Sequence, residues 1–230
     1  MFDHPTNLCE QLAEGRLEVA FVSSFEFLRN PRYILVDDIC VASHGPVHSV
    51  FLAHAGELSE IEEIEVDPAS QTSVNLLRCL LAEAGHTPKL VARTRLIQRA
   101  VTPRLAKFFI GDQAIRFRER SGAAFRFWDL GEEWQKATQL PFVYALWLIR
   151  PEVASAKPIA DMLRACRDNN LRELDVVIAA QKEFTPQFCA YYFRECLTYH
   201  FGSLEREGLS MFRKLCEKHG ILLPDPTLVL

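Results

Sequence analysis

The chain has 230 residues, of which 49% are hydrophobic, so it can bury a core in one large domain or two small lobes. Its formal net charge of -4 offers no basic surface to a nucleic-acid backbone, and nucleic acid is not an expected partner. The beginning of the chain lacks the basic and apolar regions of a signal peptide, and no apolar run reaches the roughly 18 residues that span a bilayer. These features predict a cytoplasmic protein without a membrane partner.

Strand and helix patterns alternate through the first two thirds of the chain, which predicts an α/β fold with parallel sheets flanked by helices. The predicted strands, in chain order, are 17–23, 34–43, 47–55, 61–67, 89–93, 106–112 and 141–150. Helices are predicted at 6–15, 72–84 and 112–118, and after Pro151 at 155–168, 171–181, 186–199 and 203–219. The run 141–150 is apolar throughout, which is typical of a central strand.

A cluster of uncharged polar residues precedes the predicted helix of 72–84, and its members are Ser70, Gln71, Thr72 and Ser73. The first N–H groups of a helix lack partners within the helix, and the helix dipole adds partial positive charge there. Hydroxyl groups cap such a helix without repelling a carboxylate, as Asp or Glu would. The cluster therefore predicts a carboxylate site, and ordinary helix capping is the alternative.

Two other strand ends carry candidate site residues. Ser23 and Ser24 follow the first strand, and Gly111 and Asp112 follow the strand of 106–112. Ligands of α/β sheets bind outside the carboxyl ends of strands, so these residues are predicted to line one polar cleft with the 70–73 cluster. The simpler role for Asp112 is that of a helix cap.

Ser49 and Glu26 each have two interpretations. Ser49 stands beside the Gly45-Pro46 turn at the start of a strand, where it either faces a cleft or belongs to an ordinary surface turn. Glu26 is either a base or an acid that stabilises the first turn of a helix. The cysteines and histidines are scattered without zinc-ligand spacing, so neither a metal nor another cofactor is expected.

Six segments occur in a characteristic order and spacing: VSSFEFLRN, ASHGPVHSVFLA, DPASQTSVNLLRCLL, FFIGDQAI, DLGEEWQKATQLPFVYALW and GSLEREGLSMF. Together they resemble the chorismate dehydratases of the futalosine pathway to menaquinone, over residues 2–220. The chain departs from the family pattern at Gln71, where Arg is usual, and at Gln139, where Gly is usual.

The resemblance implies a two-lobed α/β fold of the type II periplasmic-binding-protein class, with a ligand cleft between the lobes and a helical C-terminal segment. Lobe one is expected at 1–46 and 143–230, and lobe two at 47–142. Family members begin with a further strand and a turn whose Asn enters the active site. Either these are encoded upstream of Met1, or the protein lacks a central strand and a catalytic residue. We expect the first, since the rest of the chain follows the family pattern.

The resemblance also implies a hydro-lyase that eliminates water from chorismate, a small dicarboxylate, to form 3-[(1-carboxyvinyl)oxy]benzoate. Ser49 matches a family serine beside the reacting centre, so it is expected to hydrogen-bond the departing hydroxyl or the base. The substrate's enolpyruvyl carboxylate is the candidate base. One substrate carboxylate is expected at the 70–73 cluster and the other near Ser23 or the Gly111-Asp112 pair.

Two other functions are compatible with this fold. One is a non-catalytic binding protein for a small carboxylate, although the beginning of the chain argues against a secreted transport protein. The other is an enzyme similar to 1,4-dihydroxy-6-naphthoate synthase of the same pathway. The GPVHS and IGDQA segments favour the dehydratase over this second enzyme.

Overall fold

The computed structural model describes residues 3, 5–67, 71–93 and 99–224. The strands are β1 (Val19–Ser23), β2 (Ile34–Ser43), β3 (Val50–His54), β4 (Glu63–Val66), β5 (Lys89–Ala92), β6 (Leu105–Ile110), β7 (Arg126–Asp129) and β8 (Phe142–Ile149). The helices are α1 (Pro5–Ala13), α2 (Ser24–Arg29), α3 (Gln71–Glu83), α4 (Asp112–Ser121), α5 (Leu130–Thr138), α6 (Ala156–Arg172), α7 (Leu174–Ala180), α8 (Pro186–Tyr191) and α9 (Ser203–Lys218). In this described part, no helix is both long and apolar enough to cross a membrane.

A three-stranded sheet in the order β1-β8-β2 forms one half of the fold, and β8 runs antiparallel to both neighbours. The predicted central position of the 141–150 run is therefore confirmed. Leu146 and Leu148 of β8 are fully buried, as expected for a strand with sheet on both edges and helices on its faces. The chain enters this sheet at β8 from the other sheet, because β8 follows α5 and α5 follows β7, a strand of the other sheet.

A five-stranded sheet in the order β5-β4-β6-β3-β7 forms the other half. β4 is parallel to β5 and β6, whereas β3 is antiparallel to β6 and β7. All five residues of β3 are buried, and the strand is paired on both edges, with β6 and with β7. The strands of this sheet come from the range 50–129, and those of the first sheet from 19–43 and 142–149. The division into lobes at residues 46/47 and 142/143 stays a prediction.

The prediction of parallel sheets was wrong for most of the strand pairs. Alternating strands and helices give parallel pairing only where each helix returns the chain to the same edge of the same sheet. β3 and β8 instead enter their sheets from the neighbouring sheet, and each runs antiparallel to both of its neighbours. The parallel pairings are those of β4 within the described ranges.

The helix predicted at 186–199 ends early. α8 stops at Tyr191, and a π-helical turn, Tyr192–Cys196, follows it. The chain then leaves the helical path because Thr198 exchanges two main-chain hydrogen bonds with Ala42 of β2, at 2.9 and 3.0 Å. These bonds attach the C-terminal helical segment to the edge of the first sheet.

An aromatic cluster of Trp134, Phe142 and Phe212 joins α5, β8 and α9, with ring centroids 5.0 to 6.2 Å apart. The indole N–H of Trp134 donates to the Pro141 carbonyl oxygen at 3.2 Å. α9 reaches this same carbonyl at Gly208, where a Cβ atom would lie 2.0 Å from the oxygen. The close packing of α9 against the cluster therefore requires glycine at this position.

Gly208→Ala is expected to lower the free energy of unfolding by about 1–3 kcal/mol, because the new methyl group forces α9 away from the Pro141 carbonyl. Chemical denaturation followed by circular dichroism measures this change. The exposed neighbour Glu207→Ala is the control, with an expected change below about 0.5 kcal/mol. Equal stability of the Gly208→Ala variant and the unsubstituted protein would contradict the close contact.

Candidate functional site

A cavity of about 260 Å³ is lined by residues from both sheets and from the starts of α1 and α3. The size is close to the lower bound of roughly 300 Å³ that is usual for small-ligand sites. Polar side chains from β1, from α3, from the residue before β3 and from the π-helical turn line it, among them Ser23, Ser49, Gln71, Thr72, Ser73 and Tyr192. None of the described lining residues is Asp, Glu, Lys, Arg or His. The described residues also contain no group of three or more side chains arranged to hold a metal ion.

The structure brings most of the sequence-predicted site residues together. Its cavity lining includes Ser23, Ser49, Gln71, Thr72, Ser73 and Gly111, so the starts of α3 and α4 approach the same space. Ser70 lies outside the described residues. The role of these residues in ligand binding stays a prediction.

Three other candidates lie away from the cavity lining. The Ser24 side chain is fully buried and donates to a main-chain carbonyl oxygen of β8 at 2.7 Å. Asp112 is exposed at the first position of α4, 3.9 Å from Arg116 one turn later. Glu26 is buried and pairs with Arg29 of its own helix, which fits the interpretation of a structural acid.

The hydroxyl of Thr72 connects the start of α3 to the start of α2. Its Oγ1 is hydrogen-bonded to the Ser23 hydroxyl and accepts from the Phe25 main-chain N–H at 3.1 Å. Thr72 is 2% exposed, so its hydroxyl needs these protein partners. Thr72 therefore caps α2, whereas the capping alternative expected it to cap its own helix.

Two other polar groups at the start of α3 have no hydrogen-bond partner among the described residues. Within the described ranges, the Ser73 hydroxyl makes no hydrogen bond to another residue. The Gln71 Oε1 atom is buried and also lacks a partner. Both residues line the cavity, so they are the groups at this helix start that remain available to a ligand.

Asp129 fixes the turn that precedes Ser49. Its buried carboxylate accepts from the main-chain N–H groups of Val47 at 3.0 Å and His48 at 2.8 Å. It also caps α5 by accepting from two N–H groups of the first turn, at 3.0 and 3.2 Å. Sequence reasoning missed this role, although an Asp directly before a helical pattern is a recognisable N-cap signal. The bonds to Val47 and His48 span about eighty residues and have no local signal.

Ser49 is held by main-chain and side-chain contacts. Its carbonyl oxygen accepts from the N–H of Gly111 at 2.7 Å, and its Oγ lies 2.8 Å from the hydroxyl of Tyr192. Gly111 has a φ of +66°, a conformation that favours glycine, where β6 turns into α4. Burial raises the pKa of Tyr192, so its phenol stays protonated. No local sequence pattern indicated Tyr192, because it lies in an ordinary helical pattern far along the chain.

The His48 ring lies between a cation and a phenol. Its Nδ1 is 3.1 Å from Arg118 Nη1, and its Nε2 is 3.0 Å from the hydroxyl of Tyr191. Because a guanidinium can only donate, Nδ1 accepts and the ring proton resides on Nε2. Burial, and next the charge of Arg118, lower the pKa of His48, so the ring is neutral at pH 7.

Solved structures define the class of the fold. A protein from Archaeoglobus fulgidus matches with a TM-score of 0.70 at 16% identity, over 96% of this chain and 86% of that one. The aliphatic sulphonate binding protein SsuA from Escherichia coli matches with a TM-score of 0.55 at 14% identity, over 97% of this chain and 77% of that one. The chain thus has the α/β fold of the periplasmic binding proteins, as the sequence predicted.

Sequence comparison identifies the family. The menaquinone biosynthesis family matches residues 1–218. Chorismate dehydratase from Thermus thermophilus is 30% identical, over 90% of this chain and 83% of that protein. The chain belongs to the menaquinone biosynthesis family, which confirms the resemblance seen in the sequence.

Thr72→Val should lower the free energy of unfolding by about 1–3 kcal/mol, because it leaves the buried Phe25 N–H without an acceptor. Thr72→Ser retains the hydroxyl and should lose less than half as much. Denaturant titrations of the three proteins measure the difference. Equal losses for Val and Ser would mean that packing of the methyl group, and not the hydroxyl, stabilises this junction.

Stability should also depend on His48 in mildly acidic solution. Its folded-state pKa lies below the ordinary value of 6.5, so the unfolded chain takes up this proton more readily. The stability that neutral His48 contributes to the folded state is complete above pH 6.5. It is lost as the pH falls below that value toward the lowered pKa. Nearby Arg118 favours the neutral ring, while Asp129 and Glu132 oppose it.

His48→Asn should therefore reduce the fall in unfolding free energy as the pH decreases below 6.5. Asn tolerates the positive φ of 62° at this position. His44→Asn, at an exposed histidine, is the matched control for the loss of an imidazole. Identical pH profiles for His48→Asn and the unsubstituted protein would contradict the lowered pKa.

Proposed function

We propose that this protein is a chorismate dehydratase, which eliminates water from chorismate to form 3-[(1-carboxyvinyl)oxy]benzoate. The observation that carries the proposal is the 30% identity to the Thermus thermophilus chorismate dehydratase over nearly all of the chain. The cavity is consistent with this function, because its neutral hydrogen-bonding groups suit a small anionic ligand.

The start of α3 is the best candidate site for one substrate carboxylate. Gln71 and Ser73 line the cavity there, and the first N–H groups of the helix add partial positive charge. No acidic residue lies in the first turn of α3, so nothing in that turn repels an anion. A carboxylate at this position would accept charge-assisted hydrogen bonds without a cationic side chain.

The reaction needs correct placement more than a strong enzymatic base. The C3 proton of chorismate is acidified by the ring carboxylate, since the charge left behind spreads through the C1=C2 double bond. The C4 hydroxyl then departs, combines with a proton to form water, and leaves an aromatic ring. Donors directed at the ring carboxylate would stabilise the charge that develops on it.

The substrate's own enolpyruvyl carboxylate is the proposed base. The described lining of the cavity contains no Asp, Glu, Lys or His side chain that would take the C3 proton. Ser49 is the proposed partner of the departing C4 hydroxyl or of this base. Its main chain is fixed by Gly111 and by the turn that Asp129 holds, so its position is preorganised.

The same neutral cavity favours a second candidate function, a non-catalytic binding protein for a small carboxylate. Such a protein needs the donors at the α3 start but no group at the departing hydroxyl. Chorismate is the ligand that separates the two functions, because only an enzyme converts it to the aromatic product.

Purified protein incubated with chorismate should form 3-[(1-carboxyvinyl)oxy]benzoate, followed by liquid chromatography and mass spectrometry. Ser49→Ala should lower kcat at least about tenfold with little change in KM, because it removes a hydrogen bond at the reacting atoms. Ser73→Ala should mainly raise KM, about tenfold, because it removes a hydrogen bond to a bound carboxylate.

Ser24→Ala is the matched control for these variants. It removes a buried serine hydroxyl outside the cavity lining, so it should lower stability and leave KM within about twofold. Binding of chorismate without conversion would favour the binding protein. Neither binding nor conversion would reject the proposal and direct attention to the naphthoate synthase-like reaction.

A further inference from the structure

Two consecutive tyrosines from the C-terminal segment contact two consecutive residues directly before β3. The Tyr191 hydroxyl lies 3.0 Å from His48 Nε2, and the Tyr192 hydroxyl lies 2.8 Å from Ser49 Oγ. Tyr192 lines the cavity, whereas Tyr191 does not and is 45% exposed. Neighbouring residues of one turn thus reach the same corner of the fold, but only one of them reaches the cavity.

The hydrogen bond between Tyr192 and Ser49 has a preferred direction. A phenol is a much stronger acid than an aliphatic alcohol, so the phenol is the better donor and the serine oxygen the better acceptor. Burial keeps the phenol protonated, and its hydroxyl makes no other hydrogen bond to a described residue. With Tyr192 as the donor, the Ser49 proton must point along another direction from Oγ.

The remaining direction available to the Ser49 proton is the cavity. Within the described part of the chain, Tyr192 is the one side chain hydrogen-bonded to Ser49 Oγ. Both residues line the cavity, so a ligand oxygen there can accept the serine proton. Accepting a hydrogen bond from Tyr192 also polarises the serine hydroxyl and makes it a better donor.

Tyr192 is itself held in place. It begins the π-helical turn Tyr192–Cys196, an irregularity that is often associated with functional sites. Just beyond this turn, Thr198 is bonded to Ala42 of β2. The ring of Tyr192 also stacks on Phe188, with centroids 5.7 Å apart and planes inclined by 15°.

We propose that Tyr192 is a positioning residue, which donates to Ser49 Oγ and thereby directs the serine proton toward the substrate oxygen that Ser49 stabilises. This inference rests on the proposed dehydratase function. It assigns no proton transfer to Tyr192, which keeps its proton throughout. It predicts that the phenol acts only through Ser49.

The test is a double-mutant cycle on chorismate dehydration with Ser49→Ala, Tyr192→Phe and the combined variant. Tyr192→Phe keeps the ring and should lower kcat about tenfold, with KM within about threefold. In the Ser49→Ala background the same change should lower kcat less than about twofold, since its acceptor is gone. Tyr191→Phe is the matched control and should lower kcat less than about threefold. All variants are compared at a temperature where circular dichroism shows each to be folded.

An equal effect of Tyr192→Phe in both backgrounds would overturn the inference, because the phenol would then act independently of Ser49. An unchanged kcat in Tyr192→Phe would also overturn it, as would an equal loss of kcat in Tyr191→Phe. Failure of the unsubstituted protein to dehydrate chorismate would overturn the proposed function and this inference together. If the unsubstituted protein does dehydrate chorismate, a failed double-mutant cycle overturns this inference alone and leaves the proposed function in place.

Discussion

The hydrogen bonds of Thr72 are the local constraint on which the geometry of the cavity depends. They connect the first turn of α3, which follows a strand of the five-stranded sheet, to the end of β1 and the start of α2 in the other half. A buried hydroxyl with protein partners is costly to separate, so the two helix starts stay together. Because Thr72 is occupied in this way, Ser73 and Gln71 are left as the cavity's free polar groups at this helix start.

Asp129 orders the wall of the cavity, although its carboxylate does not line the cavity. This carboxylate is buried and accepts hydrogen bonds from four main-chain N–H groups, which stabilise its charge and hold the turn before Ser49 and the start of α5 in place. Arg118, near this carboxylate, contacts His48 but does not line the cavity. Among the described lining residues, a ligand carboxylate would thus meet helix dipoles and hydroxyl groups but no ionised side chain.

Local patterns predicted the parts of the site that depend on neighbouring residues. Gln71, Thr72 and Ser73 at the start of α3, Ser23 at the end of β1 and Gly111 directly after β6 all line the cavity, because strand ends and helix starts can be recognised from short stretches. The family's usual glycine at position 139 is also understandable, since Gln139 ends α5 with a φ of +60°. Tyr192, which meets Ser49 across 143 residues, has no local signal. The antiparallel pairings of β3 and β8 depend likewise on where each strand enters its sheet.

A crystal structure with bound 3-[(1-carboxyvinyl)oxy]benzoate is the measurement that tests the central claim most directly, because it locates the ligand relative to the start of α3 and to Ser49. The claim is that this cavity is the active site and that the start of α3 holds a carboxylate. The expected result is a product carboxylate within hydrogen-bond distance of Ser73 and the first N–H groups of α3, with the ring carbon that carried the lost hydroxyl facing Ser49. Product bound elsewhere, or with both carboxylates turned away from α3, would contradict it.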